Sequence, residues 1–177
     1  YSIEDLSLMR SIPRMTVLSP ADAGEAIKDF EFALEMNAPV YIRLSGTTNM
    51  PIVYNEDFSI ALDKAKTVFD NGGGITIFAT GTMVYNSIKA AKLLGEKGIG
   101  AKVIDINTIK PIDKEAIVKE KFCKLIVSVE EHTIIGGLGS ALSEILSEEG
   151  NMPKLLRIGI DDRFSSVGDY QYLLEQN

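Results

Sequence analysis

Leu125-Ile126-Val127-Ser128-Val129 is followed by Glu130-Glu131-His132 and then by Gly136-Gly137-Leu138-Gly139-Ser140-Ala141. The first five residues form a nearly continuous apolar run, the pattern of a strand covered on both faces. The glycines turn the chain. Leu138, Ala141, Leu142, Ile145 and Leu146 then recur at i, i+3, i+4, i+7 and i+8, which is one face of a helix. A buried strand that feeds a helix through a short turn is half of a parallel βαβ unit.

The same grammar repeats outward from this stretch. Upstream, Ile75 to Ala79 reads as a second buried strand, Thr80-Gly81-Thr82 as its turn, and Val84, Ile88 and Ala91 as the inner face of the next helix. Val103 to Ile106 is a strand, and Pro111 and Asp113 open a short helix to about Lys121. Lys66 to Phe69 is a short strand. Downstream, Leu155 to Ile160 is the last strand and Asp169 to Glu175 is helical. The predicted fold class is α/β: a three-layer, mostly parallel sheet flanked by helices, preceded by a partial α/β domain.

That partial domain is residues 1–52. Ser2 caps a helix with Asp5 at N3, and Pro13 stops it. Met15 to Leu18 is a strand. Ser19 caps the next helix with Pro20 at N1, and Ala23, Ala26, Ile27, Phe30 and Leu34 share one face of it. Val40 to Leu44 is a second strand. Two strands make a marginal sheet, so this stretch reads as the end of a larger domain. Residues 46–60 are rich in turn formers, which places the boundary near residue 52 and the second domain at 53–177.

Composition narrows the function. The 177 residues carry a net charge of −7 and 45% hydrophobic residues. That is enough apolar material for a core, and it lacks the basic footprint of a nucleic-acid binder. No apolar run is long enough to predict a membrane-spanning helix. Cys123 is the single cysteine, which excludes an internal disulfide and fits a reducing cytoplasm.

Few residues suggest chemistry. The glycines at 136, 137 and 139 open a helix after a strand, a setting that can hold an anion. Their spacing matches neither a dinucleotide fingerprint nor a P-loop, so close packing of strand, turn and helix is the preferred reading. His132 is the only histidine, so no second histidine and no cysteine pair is available to complete a metal site around it. It reads as a structural or interface residue, together with Gly136 and Gly137. Arg43, inside an apolar strand, needs a partner, either a structural carboxylate or a ligand phosphate; it is the candidate substrate contact. Asp161-Asp162 is a carboxylate pair whose members should point apart.

Two groups of motifs, in this order, resemble the C-terminal half of a transketolase. The first is Leu8-Met9-Arg10-Ser11-Ile12-Pro13 with Ser19-Pro20-Ala21-Asp22; the second is the segment from Val127 to Ala141, with Glu130-Glu131-His132. Deoxyxylulose-phosphate synthases and the β subunits of 2-oxoacid dehydrogenases share the architecture. The resemblance implies that residues 1–52 end a pyrimidine-binding domain and residues 53–177 form the transketolase C-terminal domain. It implies transfer of a two-carbon ketol unit between sugar phosphates, as in the pentose phosphate pathway, with thiamine diphosphate and a divalent cation held by an N-terminal part. The family's catalytic histidine stands just before the segment from Ser2 to Pro13, ahead of Tyr1, and its activating glutamate lies earlier still. The resemblance therefore assigns no catalytic, cofactor or metal residue to this chain. The family's phosphate-binding arginine falls on Gly46, a departure from the pattern. The implied partner is an N-terminal transketolase subunit or the rest of the same chain, in a homo-oligomer such as a dimer. The rival reading is a self-standing α/β binding module without catalysis.

Overall fold

The computed structural model describes residues 2–46, 50–55, 58–59, 61 and 63–176. Ile75 to Ala79, a nearly all-apolar run, becomes strand β4 at the centre of a sheet. In chain order the elements are α1 (Asp5–Ser11), β1 (Thr16–Leu18), α2 (Ala23–Glu35), β2 (Val40–Ile42), β3 (Lys66–Asp70), β4 (Ile75–Ala79) and α3 (Met83–Glu96), then β5 (Ala101–Asp105), β6 (Thr108–Lys110), α4 (Lys114–Lys119), β7 (Leu125–Thr133), α5 (Leu138–Glu149), β8 (Lys154–Ile160) and α6 (Tyr170–Gln176).

Among the described residues the larger sheet has the order β3-β5-β4-β7-β8. The four strands β5, β4, β7 and β8 run parallel, and β3 joins the edge antiparallel to β5. Side chains alternate across it, as strand geometry requires. Ile77, Val103 and Val127 point to one face and pack with Ala91 of α3. Phe78, Ile104 and Ile126 point to the other, against Ile117 of α4, Leu138 and Leu142 of α5, and Leu6 of α1. This is the predicted α/β architecture.

A smaller sheet has the order β2-β1-β6. Here the structure adds an element. β6 follows β5 after only Ile106 and Asn107, leaves the large sheet and pairs antiparallel with β1. It supplies an edge that the first stretch lacks, from beyond the boundary placed near residue 52. Three residues ahead of Pro111 give too short a run for periodicity to register.

Three local expectations change. α1 starts at Asp5 with Glu4 at its N-cap, and Asp5 spends its carboxylate elsewhere rather than in a capping box. α2 is capped by Asp22, whose side chain accepts the Glu25 N–H at 2.9 Å, not by Ser19. The apolar stripe of α2 also turns outward: Ile27, Phe30 and Leu34 are exposed, Leu34 by 86%. The face turned inward carries Glu25 and Asp29, both buried. The turn-rich region 46–60 includes residues 47–49, 56–57 and 60, which lie outside the described residues.

Candidate functional site

The site grows from one extension. β7 runs on to Thr133, past the Val129 at which its apolar pattern ends. The added residues carry Glu130 and His132, both buried. Glu130 reaches the start of α5, where its carboxylate accepts the N–H of Leu138 at 2.6 Å and of Gly139 at 2.8 Å. Those are two of the donors that a helix start leaves without partners. The anion seat suggested by the glycine turn is real, and the chain fills it with its own carboxylate. Burial pushes the Glu130 carboxyl up to about 7, against the pull of the two N–H groups and of Arg10 and Arg43.

The glycines follow from this arrangement. A Cβ on Gly137 would fall on the Glu130 carboxylate and 2.6 Å from His132 Nδ1. Gly136 has φ 83°, and a Cβ there would strike Ser7 of α1. Gly136 and Gly137 thus sit where the second part of the chain meets the first.

His132 lies at that meeting too. Its ring is fully buried within the chain. Nδ1 is 2.6 Å from the Thr133 carbonyl oxygen, and Nε2 lies 3.3 Å from the Ser7 backbone N–H. Those partners assign a neutral ring with the proton on Nδ1, so that Nε2 can accept. Burial lowers its pKa, favouring the same neutral state. The Thr133 N–H donates to the Ile3 carbonyl at 2.8 Å.

The rest of α1 is tied down by charge-assisted bonds, the stronger kind. Arg10 donates from Nη1 to the Gly136 carbonyl at 2.6 Å and from Nη2 to Glu144 at 2.7 Å. Lys110 of β6 donates to the carbonyls of Arg10 at 2.8 Å and Ile12 at 2.6 Å, closing the C-terminal end of the helix. Asp5, on α1's first turn, receives Arg43 Nε at 3.0 Å and the Tyr41 hydroxyl at 2.8 Å. The strand expected over Val40 to Leu44 ends at Ile42, so Arg43 lies just beyond β2, and of the two partners left open for it the structure supplies the carboxylate, Asp5.

A cleft of about 180 Å³ borders this joint, lined in part by Glu4, Ser7, Thr133, Asp161, Asp162 and Arg163. It brings three carboxylates against one guanidinium, and Arg43 does not line it. Among the described residues no group of three or more His, Cys, Asp or Glu is placed to hold a metal ion. The bonds of Ser7, Arg10 and Asp5 to His132, Gly136 and Arg43 hold α1 in place.

Sequence reasoning reached His132, Gly136, Gly137 and Arg43, and the structure brings the first three together. It missed Asp5, Ser7, Arg10 and Glu130. The signal for Glu130 was its place before the glycines, hidden because the apolar pattern stopped the strand at Val129. Arg10 sits on a helix whose partner lies more than a hundred residues away, so no local pattern reports it.

A family model for the transketolase C-terminal domain matches residues 63–175. The chain is 41% identical over 176 residues to a 6-deoxy-6-sulfo-D-fructose transketolase subunit of a Clostridium species, covering 99% of the chain and 54% of the relative. It is 36% identical over 171 residues to an apulose-4-phosphate transketolase subunit of Actinobacillus succinogenes, covering 96% and 54%. The chain thus spans about half the length of these curated relatives. A solved split-gene transketolase, an inactive β4 tetramer, superposes with a TM-score of 0.90 at 39% identity, covering 99% of the chain and 56% of that structure. With this motif pattern, this fold and these likenesses, the chain belongs to the transketolase family, and residues 63–175 are its C-terminal domain.

Proposed function

We propose that the chain is the C-terminal part of a thiamine-diphosphate-dependent transketolase, which moves a two-carbon ketol unit between sugar phosphates. Its own share is to seat α1 against the turn between β7 and α5. The observation that carries this reading is the anchoring of α1 by Ser7 on His132, Arg10 on Gly136, Lys110 on the last carbonyls and Asp5 on Arg43. By the resemblance, the family's catalytic histidine immediately precedes this helix. A fixed α1 then fixes where that imidazole stands, and misplacement by about 1 Å can cost a hundredfold in rate.

Thiamine diphosphate and a divalent cation find no matching seat on these residues. Glu130 fills the α5 N-terminus, and the bordering cleft would set a diphosphate against Glu4, Asp161 and Asp162. We assign both groups to an N-terminal subunit or to the rest of the same chain. The two relatives are named for different sugars, one a sulfonate and one a phosphate, which suggests an anionic ketose as the substrate. The outward apolar stripe of α2 suits packing in a homo-oligomer. The free thiol of Cys123 fits a cytoplasmic setting. We keep the division at about residue 52, with β6 as the strand that laces the two parts.

The test is reconstitution. The chain alone should neither bind thiamine diphosphate by calorimetry nor turn over ketose phosphates, and mixing it with the complementary part should restore ketol transfer. Turnover by the chain alone would overturn the proposal. A chain that ignores the complementary part would instead be a self-standing α/β binding module.

A further inference from the structure

Apart from this joint, the inward face of α2 meets the large sheet through acids rather than apolar side chains. Glu25 is 2% exposed and Asp105, at the end of β5, is 1% exposed. Asp105 Oδ2 accepts the Tyr54 hydroxyl at 2.6 Å, while its Oδ1 is buried without an N–H or O–H donor among the described residues. Glu25 Oε2 accepts the Ala21 N–H at 2.7 Å, and the Glu25 side chain is in hydrogen-bond contact with Asp105. Two carboxylates this close and this dry cannot both be ionised.

The surroundings decide which one holds the proton. At the start of α2, the N-cap Asp22 accepts three backbone N–H groups, from Glu25, Val53 and Tyr54. Asp29 accepts the Asn107 amide at 2.7 Å, and burial pushes its carboxyl up to about 6. From the loop comes the Tyr54 hydroxyl, which already serves Asp105 as a donor. Lys66 stands 4.4 Å from the centre of the Tyr54 ring and Lys28 4.9 Å from that of Phe58, and the two rings are stacked. Glu25 has only one N–H to stabilise a charge, whereas Asp105 has the tyrosine and an open lone pair.

We propose that Glu25 and Asp105 share one proton, a neutral Glu25 donating its O–H to Asp105 Oδ1, and that this buried bond is a pH-sensitive joint that fastens α2 and the loop at Val53–Tyr54 to the large sheet. The bond uses the orphaned oxygen and removes one of two like charges from the interior. Burial, with Asp105 as the next cause, raises the Glu25 pKa, in agreement with a neutral acid. Removing the proton in alkali leaves two facing carboxylates, and α2 loosens while β4 and β7 stay paired.

The experiment follows amide exchange in Ala23–Glu35, corrected for intrinsic rates, from about pH 5 to about pH 9. Protection of α2 relative to α3 should fall roughly tenfold or more across that range. Glu25→Gln keeps a carbonyl for Ala21 and gives Asp105 an N–H at every pH, so its protection should be flat. Should that variant fail to fold, the carboxyl carbon of Glu25 in the unaltered chain can be titrated by NMR; it should report a neutral acid near neutral pH. An ionised Glu25 there, or an unchanged slope in Glu25→Gln, overturns the proposal. Restoration of α2 protection in alkali by calcium or magnesium would also overturn it, since the cluster would then be a cation site.

Discussion

Ser7 donates its backbone N–H to Nε2 of His132, a residue 125 positions away, and so makes the chain's only histidine the acceptor that holds its first helix. Acceptance requires the neutral ring. The burial that lowers the histidine's pKa also excludes water that could replace Ser7.

The first prediction concerns pH. His132 binds its proton less readily folded than unfolded, so its contribution to stability is present above the ordinary histidine value of about 6.5 and is lost as pH falls below it. Glu25 and Glu130 have raised values and run the opposite way, so the histidine must be isolated by difference. His132→Ala should cost about 1–3 kcal/mol at neutral pH, through a buried N–H left unpaired. Thermal unfolding of the chain and the variant at several pH values should show the two curves converging in acid. A cost that stays constant with pH would mean that the ring only fills space.

Arg10→Ala should be felt across the joint. Its bond to the Gly136 carbonyl is half-buried and charge-assisted, so about 1.5–3 kcal/mol is expected, whereas its partner Glu144 is exposed and adds little. Hydrogen exchange should show α1 unprotected and β4 unchanged. Equal loss in both would show that α1 is no separate unit.

Gly137→Ala tests the filled anion seat. The new methyl meets Glu130 and His132, so about 1–3 kcal/mol should be lost through forced displacement. Glu130→Ala in the same background should recover part of it, because the obstruction is gone. If the two losses simply add, the glycine is kept for another reason.

Protection should also map the two parts of the chain. Ile75–Ala79 and Leu125–Val129 are paired on both sides and should exchange slowest. Val40–Ile42 is an edge strand of half-buried residues and should exchange faster. Equal protection of Val40–Ile42 in a monomer would contradict the division near residue 52.

What the sequence could show follows from range. β4, α3, β7 and α5 are written in local periodicity, since each buries a face against neighbours that share its pattern. α2 misleads because its apolar stripe of Ile27, Phe30 and Leu34 faces outward while Glu25 and Asp29 go in; pattern reading assumes that the core is apolar. β6 is too short to register. Arg10 and Asp105 act on residues far along the chain, and such pairings carry no local signal. The motifs from Leu8 to Pro13 and from Val127 to Ala141 meet at one joint, a relationship that becomes visible only once the chain is folded.

The measurement that bears most directly on the central claim is steady-state ketol transfer by the complete enzyme carrying Arg10→Ala. If this chain's share is to hold α1, kcat should fall at least tenfold, while thiamine diphosphate affinity and KM for the ketose stay near their original values. An unchanged kcat, in a variant whose α1 has demonstrably lost its exchange protection, would contradict the account.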